Sequence, residues 1–268
     1  MTTATPSLGD RVLDTTRQGF DHESLTALLN GEVHAVRLGG FVRPDALDHL
    51  RKAFVGRQDH GPLATDPQFR RIGHAFSETN SEAGRGRYFD EARDNLERLR
   101  EIASPYSYPA DDLRLLLDEI WPSGASLLRR DGQAFFAGVA RYQLAGVDLE
   151  PHTDNVGRNL PEDFGIRITR QLSVNVYLDV PDRGGELQIW DDYPDEGAYR
   201  DRSGERVYGI DRAAVGDPEL VIAPRVGDAI FIDPRRVHAV APSQDRPRIT
   251  IGLFIGVSDP ADSLKVWS

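Results

Sequence analysis

The chain has 268 residues, 43 acidic against 32 basic side chains for a formal charge of −11, and no cysteine. This length can bury a core without covalent staples, and the missing thiols exclude disulfides, thiolate metal sites and a cysteine nucleophile. A net anionic chain without a basic run does not suit a phosphate backbone, so no nucleic-acid partner is expected. The opening residues lack the apolar stretch of a secretion signal and no later segment could span a bilayer. A soluble cytoplasmic protein without a membrane partner is expected.

In chain order, residues 1–20 read as a flexible arm and 21–268 as a single domain. A short helix is predicted at 22–30, a strand at Val33–Leu38, and a helix from Pro44 to about Phe54 with the proline in its first turn. Gly56–Tyr88, rich in Gly, Arg, Ser and Asn, reads as one long loop. Helices are predicted at about Phe89–Ile102 and Ala110–Trp121, the latter stopped by Pro122 and Gly124. From Phe135 the pattern turns to short β runs: Val139–Leu144, Glu150–Asn155, Gln171–Val180, Glu186–Trp190, Leu220–Ile222, Ala229–Asp233, Val237–Ala241 and Arg248–Val257. Helices followed by strands indicate an α+β fold whose β part is a sandwich or open barrel.

Chemistry concentrates in His152-Thr153-Asp154, His238 and Arg248-Ile249-Thr250. Two imidazoles and one carboxylate make a three-ligand face that suits non-haem Fe(II) and leaves its other positions open. His-x-Asp alone arises easily by chance, but residues two apart on a strand share a face and could hold one metal. An isolated histidine such as His238 is more often structural. Its position at a strand start after Pro234-Arg235-Arg236 would put it at a barrel mouth.

Arg248, Thr250 and Gly252 alternate with Ile249, Ile251 and Leu253. An inward arginine needs an anion. That anion is either an internal aspartate or the carboxylate of a small-molecule co-substrate held with the Thr250 hydroxyl. In Gln171–Val180 the polar row of Ser173, Asn175, Tyr177 and Asp179 faces either solvent or a pocket; Asn175 and Tyr142 are the pocket candidates.

Arg141-Tyr142-x-x-x-Gly146, Leu149-x-Pro151-His152-Thr153-Asp154, Gly184-Gly185-Glu186-Leu187, Pro224-x-x-Gly227-Asp228, His238 and Arg248 together resemble the iron(II)/2-oxoglutarate-dependent oxygenases, especially the prolyl-4-hydroxylase-like branch. The resemblance covers about 138–257. It implies a double-stranded β-helix (jelly roll) over 138–257, with the helical segment 21–137 packed outside as support and lid. It also implies His152, Asp154 and His238 as ligands of Fe(II), and Arg248 with Thr250 on the distal carboxylate of 2-oxoglutarate. Tyr142 stands where that branch has a tyrosine on the co-substrate, and Arg248 where it commonly has lysine.

The implied reaction consumes 2-oxoglutarate and O2, releases succinate and CO2, and hydroxylates an unactivated C–H bond. Halogenating relatives replace the carboxylate ligand with a small residue, so Asp154 points to hydroxylation. The run to Trp190 is similar to bacterial oxygenases acting on free amino acids. Arg71 and His74, in the arginine-rich loop, and Trp190 are the substrate candidates, with the charged insertion Asp191–Pro218 a second possible cover. Desaturation or cyclisation at the same iron site, or a non-catalytic jelly-roll binding module, are the alternatives.

Overall fold

The computed structural model describes residues 11–268 except 18, 58, 63–68, 80, 159, 161–163 and 207. The first half runs β1 (Val12–Asp14), α1 (His22–Leu29), β2 (Ala35–Leu38), α2 (Pro44–Val55), β3 (Gly61–Pro62), β4 (Phe69–Ile72), α3 (Glu82–Ala103) and α4 (Pro109–Ile120). Short strands β5 (Ala125–Leu127), β6 (Arg129–Arg130) and β7 (Gln133–Ala134) follow. Then come β8 (Val139–Gln143), β9 (Leu149–His152), β10 (Arg170–Asp179), β11 (Leu187–Ile189) and α5 (Glu196–Ser203). The chain finishes with β12 (Leu220–Ile222), β13 (Ala229–Ile232), β14 (His238–Val240), β15 (Arg248–Val257) and β16 (Leu264–Trp267).

Helix starts follow local chemistry. Asp21 accepts the Ser24 amide at 2.9 Å to open α1, and Pro44 and Pro109 occupy the first turns of α2 and α4, where a missing N–H costs nothing. The strands form two main sheets and a separate two-stranded ladder, β6-β7. The larger runs β1-β2-β13-β10-β15-β8-β4-β3, with β16 joining β15 to β5; the smaller runs β12-β11-β14-β9.

Strand β10 shows why the sheets and helices layer as they do. Leu172, Val174, Val176 and Leu178 join Leu50, Phe54, Leu113 and Leu117 of α2 and α4 in the main core. Tyr177, on the other face, packs with Leu187, Ile189 and Val240 of the smaller sheet. Each fully buried leucine or phenylalanine in such a core contributes about 1.5–3 kcal/mol. Tyr177 of the polar row therefore faces the space between the sheets, whereas Asp179, past a bulge, pairs with Arg51 of α2 at 2.8 Å.

Four expectations change. The arm ends early: Val12–Asp14 pair in parallel with Ala35–Arg37, while residues 1–10 lie outside the described residues. The 56–88 loop is partly ordered as β3, β4 and the first turns of α3, its stretch 63–68 lying outside the described residues. α3 starts at Glu82, not near Phe89, because Ser81 caps it by accepting the Gly84 amide at 3.1 Å. Gly84 and Gly86 hide that start, since glycine is a poor helix former. Finally, β9 ends at His152, so Asp154 is not on a strand.

Candidate active site

β9 and β14 pair antiparallel with His152 opposite His238, which sends both imidazoles to one face; their ring centroids are 4.2 Å apart. Asp154 reaches the same point from the loop after β9, whose course is fixed by the Asp154 amide donating to the Pro234 carbonyl at 2.8 Å. Its Oδ2 lies 3.9 Å from His152 Nε2 and 3.7 Å from His238 Nε2. The three ligand atoms lie within 4.8 Å of one another.

Each Nδ1 faces a backbone carbonyl, Glu150 at 2.8 Å and Arg236 at 2.9 Å. A carbonyl can only accept, so Nδ1 carries the proton and the Nε2 lone pairs turn toward Asp154. Burial pulls His152 down to about 3 and keeps it neutral. Burial raises the Asp154 pKa, but the polar surroundings of the two facing imidazoles and Arg141 outweigh it and hold the carboxyl well below its ordinary range. A neutral His152 and an ionised Asp154 are the forms that bind a divalent metal. This donor set, N2O with no sulfur, fits Fe(II).

Arg248 lies deeper on the same inner face, 6% exposed. Its Nη1 and Nη2 donate at 3.3 Å to Gln143 Oε1 and the Tyr177 hydroxyl, and its buried Nε has no hydrogen-bond partner among the described residues. Both partners are neutral, and among the described residues no carboxylate forms an ion pair with it. The aspartate alternative is thereby removed. A buried cation with an orphaned N–H fits an incoming carboxylate. Gly185, in the turn before β11, packs beside Arg248 with no room for a side chain: a Cβ there (φ +77°) would meet Pro181 Cγ at 2.6 Å and Arg248 Cδ at 3.9 Å. Thr250, next along the inner face, is buried.

Asn175 is on this face, opposite Gly252. Tyr142 is not, and this corrects the expectation of a co-substrate contact. Strand alternation turns Tyr142 away from Arg141 and Gln143, and its hydroxyl donates to the Phe54 carbonyl of α2 at 3.0 Å. Gln143, one residue on, takes the place beside Arg248.

The substrate candidates fare differently. Arg71 is on β4 beside Arg141 but is bound by Glu78 at 2.6 Å. His74 makes a half-exposed pair with Glu91 at 2.8 Å. Trp190 is 4% exposed and packs with Tyr199, Ile210 and Val237, with its indole N–H on the Gly216 carbonyl at 3.1 Å; it is a core residue.

Sequence reasoning missed Gln143, Tyr177 and Tyr208 as site neighbours. The first two were detectable from the alternation opposite Arg248. Tyr208, whose ring lies 4.8 Å from His152, comes from the insertion and carried no signal. A narrow cleft bordered by Phe76, Asp154, Arg158, Phe254 and Trp267 opens beside the carboxylate.

Two histidines and a carboxylate at the open end of a strand pair, above a buried arginine lacking its anion, define a non-haem iron centre with a dicarboxylate co-substrate. The family described as carrier-protein-independent halogenase WelO5 matches residues 21–268, and the chain belongs to it.

The chain is similar to the L-gamma-glutamyl-L-propargylglycine hydroxylase of Streptantibioticus cattleyicolor, 27% identical over 266 residues and covering 93% of each chain. It is also similar to the L-isoleucine 3(1)-dioxygenase of Pantoea ananatis, 29% identical over 139 residues, 47% of this chain and 45% of that one. Its fold is like that of an N-substituted L-amino acid dioxygenase from Burkholderia ambifaria, with a TM-score of 0.63 at 15% identity over 92% of this chain and 90% of the other. The protein is a 2-oxoglutarate-dependent non-haem iron dioxygenase. No helix among the described residues is long and apolar enough to cross a membrane.

Proposed function

We propose that the protein hydroxylates an unactivated C–H bond of a small molecule, a free amino acid or an amino-acid derivative. The carrying observation is Asp154 itself: its carboxylate completes the ligand set and occupies the position a halide would need. In a family named for a halogenase, this supports hydroxylation. The amino-acid class is supported by the two curated relatives, whose names specify a γ-glutamyl amino acid and isoleucine.

In this reading His152, Asp154 and His238 would hold Fe(II), which with 2-oxoglutarate and O2 would supply the oxidising chemistry, succinate and CO2 being the co-products. Arg248 and Thr250 hold the distal carboxylate of 2-oxoglutarate, Gln143 and Tyr177 fix the guanidinium plane, and Asn175 lines the same chamber. Tyr208, with its phenol kept protonated by burial, closes one side of His152 against water. The two sheets form a jelly roll, with β8, β15, β10 and β13 facing β9, β14, β11 and β12, and residues 21–268 make one domain.

The test is turnover of a panel of free, N-substituted and γ-glutamyl L-amino acids with Fe(II), 2-oxoglutarate and O2. A product heavier by one oxygen, with stoichiometric succinate, is expected; loss of two hydrogens would favour desaturation or ring closure instead. Asp154→Gly is expected to abolish hydroxylation, and undiminished hydroxylated product from it would refute the ligand assignment.

A further inference from the structure

We propose that Arg141, assisted by Asn175, forms a second carboxylate site between the Arg248 end of the chamber and the metal ligands. The inference rests on the dioxygenase reading but on no particular substrate. Arg141 faces the inter-sheet space, since it alternates with the helix-facing Ala140 and Tyr142. In the sheet it lies opposite Thr250 on β15 and opposite Arg71 on β4.

Two arginines directly across a ladder repel. Arg71 is neutralised by Glu78, their side chains only 13% and 7% exposed. Arg141 has no such relief: among the described residues no hydrogen-bond or ion-pair partner is found for its guanidinium. A half-buried, unpaired guanidinium is costly unless an anion meets it.

The guanidinium also has an aimed position. It lies over Gly252, where a Cβ would come within 2.8 Å of Arg141 Nη1 and 2.9 Å of Asn175 Oδ1. Only glycine leaves both groups room. The Asn175 amide, without a partner of its own among the described residues, has Nδ2 donors to add. Gly252 lies along β15 between Arg248 and Phe254, and Phe254 borders the cleft beside Asp154. A planar fork beside an amide donor matches a carboxylate, as a point cation would not. That carboxylate belongs either to the metal-proximal end of 2-oxoglutarate or to an organic-acid substrate.

Binding separates the sources without turnover. Wild type, Arg141→Met and Arg141→Lys, loaded with redox-inert Zn(II), are titrated calorimetrically with 2-oxoglutarate. The same proteins, loaded with Mn(II) and saturated with 2-oxoglutarate, are titrated with acetate while the relaxation of its methyl protons is followed, acetamide being the neutral control. Arg141→Met is expected to weaken one of the two carboxylates by about tenfold or more, the scale of one lost charge-assisted bond, with Arg141→Lys falling between it and wild type, because it keeps the charge but not the fork. Weaker 2-oxoglutarate assigns the site to the co-substrate; weaker acetate assigns it to the substrate.

Should Arg141→Met not fold, Gly252→Ala carries the test, because its Cβ displaces the same two groups. The proposal is overturned if both carboxylates bind Arg141→Met, or Gly252→Ala, as they bind wild type. Wild type that bound no 2-oxoglutarate would fail the dioxygenase reading instead, a separable result.

Discussion

At the residue scale the site is decided by which polar groups lack partners. Arg37 and Arg51 are also buried or half-buried, but each meets a carboxylate, Asp228 at 2.5 Å and Asp179 at 2.8 Å. Among the described residues Arg248 meets only a neutral amide and a phenol; Arg51 Nε lacks a partner as Arg248 Nε does, so the missing carboxylate is what sets Arg248 apart. That contrast distinguishes a structural cation from one kept for a ligand. Truncating a buried charge-pair partner costs about 2–5 kcal/mol of binding. Arg248→Met is therefore expected to weaken 2-oxoglutarate by at least about thirtyfold while leaving metal affinity intact. Titration of 2-oxoglutarate into metal-loaded protein checks this, and unchanged affinity would remove Arg248 from the co-substrate site. Tyr177→Phe, which deletes one acceptor but keeps the ring against the guanidinium, is expected to cost much less.

At the element scale, strands were legible where side chains alternate cleanly, and the error at Tyr142 shows the limit of that signal. A strand's period is two, so reading a motif one residue out of register moves its side chain to the opposite face. Arg141-Tyr142-Gln143 gave no internal clue to which residue opposed Arg248; only the pairing with β15 supplies it. The His-x-Asp spacing groups Asp154 with the histidines as a strand neighbour; in the fold it joins them from a loop tied to Pro234.

The insertion after β11 was the least legible element. α5 is short and charged, with little apolar periodicity, and its order comes from partners distant in sequence. Glu196 accepts from Arg158 at 2.8 Å and from Asn155 at 3.1 Å, next to the metal ligand Asp154, and Tyr199 lies under the Arg158 guanidinium. Because Glu196 is about two-fifths exposed, the pair is worth at most about 1 kcal/mol. Glu196→Ala should then leave the melting temperature nearly unchanged yet raise amide exchange across 196–208. Exchange there equal to wild type would show that the ion pair does not hold the insertion down.

At the scale of the whole molecule, buried or charge-paired groups make stability depend on pH in one direction. His34 is buried with neither ring nitrogen hydrogen-bonded among the described residues, Nε2 lying 3.9 Å from Asp191 Oδ1. Burial first, and then the Arg236 and Arg11 charges, lower its pKa below the ordinary 6.5, with Asp191 and Glu219 opposing. His152 is lowered likewise, to about 3. Asp191, hydrogen-bonded by Arg236, and Asp14, hydrogen-bonded by Thr16, are held below the usual 3.8. In every case the unfolded chain binds protons more readily than the folded one. The sign follows: this stability is present above the unfolded pKa values and is lost as pH falls toward the folded ones.

The two histidines act first, because their unfolded pKa lies near 6.5, each with a limiting slope of about 1.4 kcal/mol per pH unit. Metal-free protein is therefore expected to lose melting temperature between pH 7 and pH 5, before any carboxylate titrates, and more steeply below pH 4. His34→Phe, which removes one titrating group and two unsatisfied nitrogens, should flatten the first limb. Saturating Zn(II) should flatten it further, by competing with protons at His152 and by stabilising only the folded state. A melting temperature that stayed level from pH 7 to pH 5 in the metal-free protein would contradict the burial of both imidazoles.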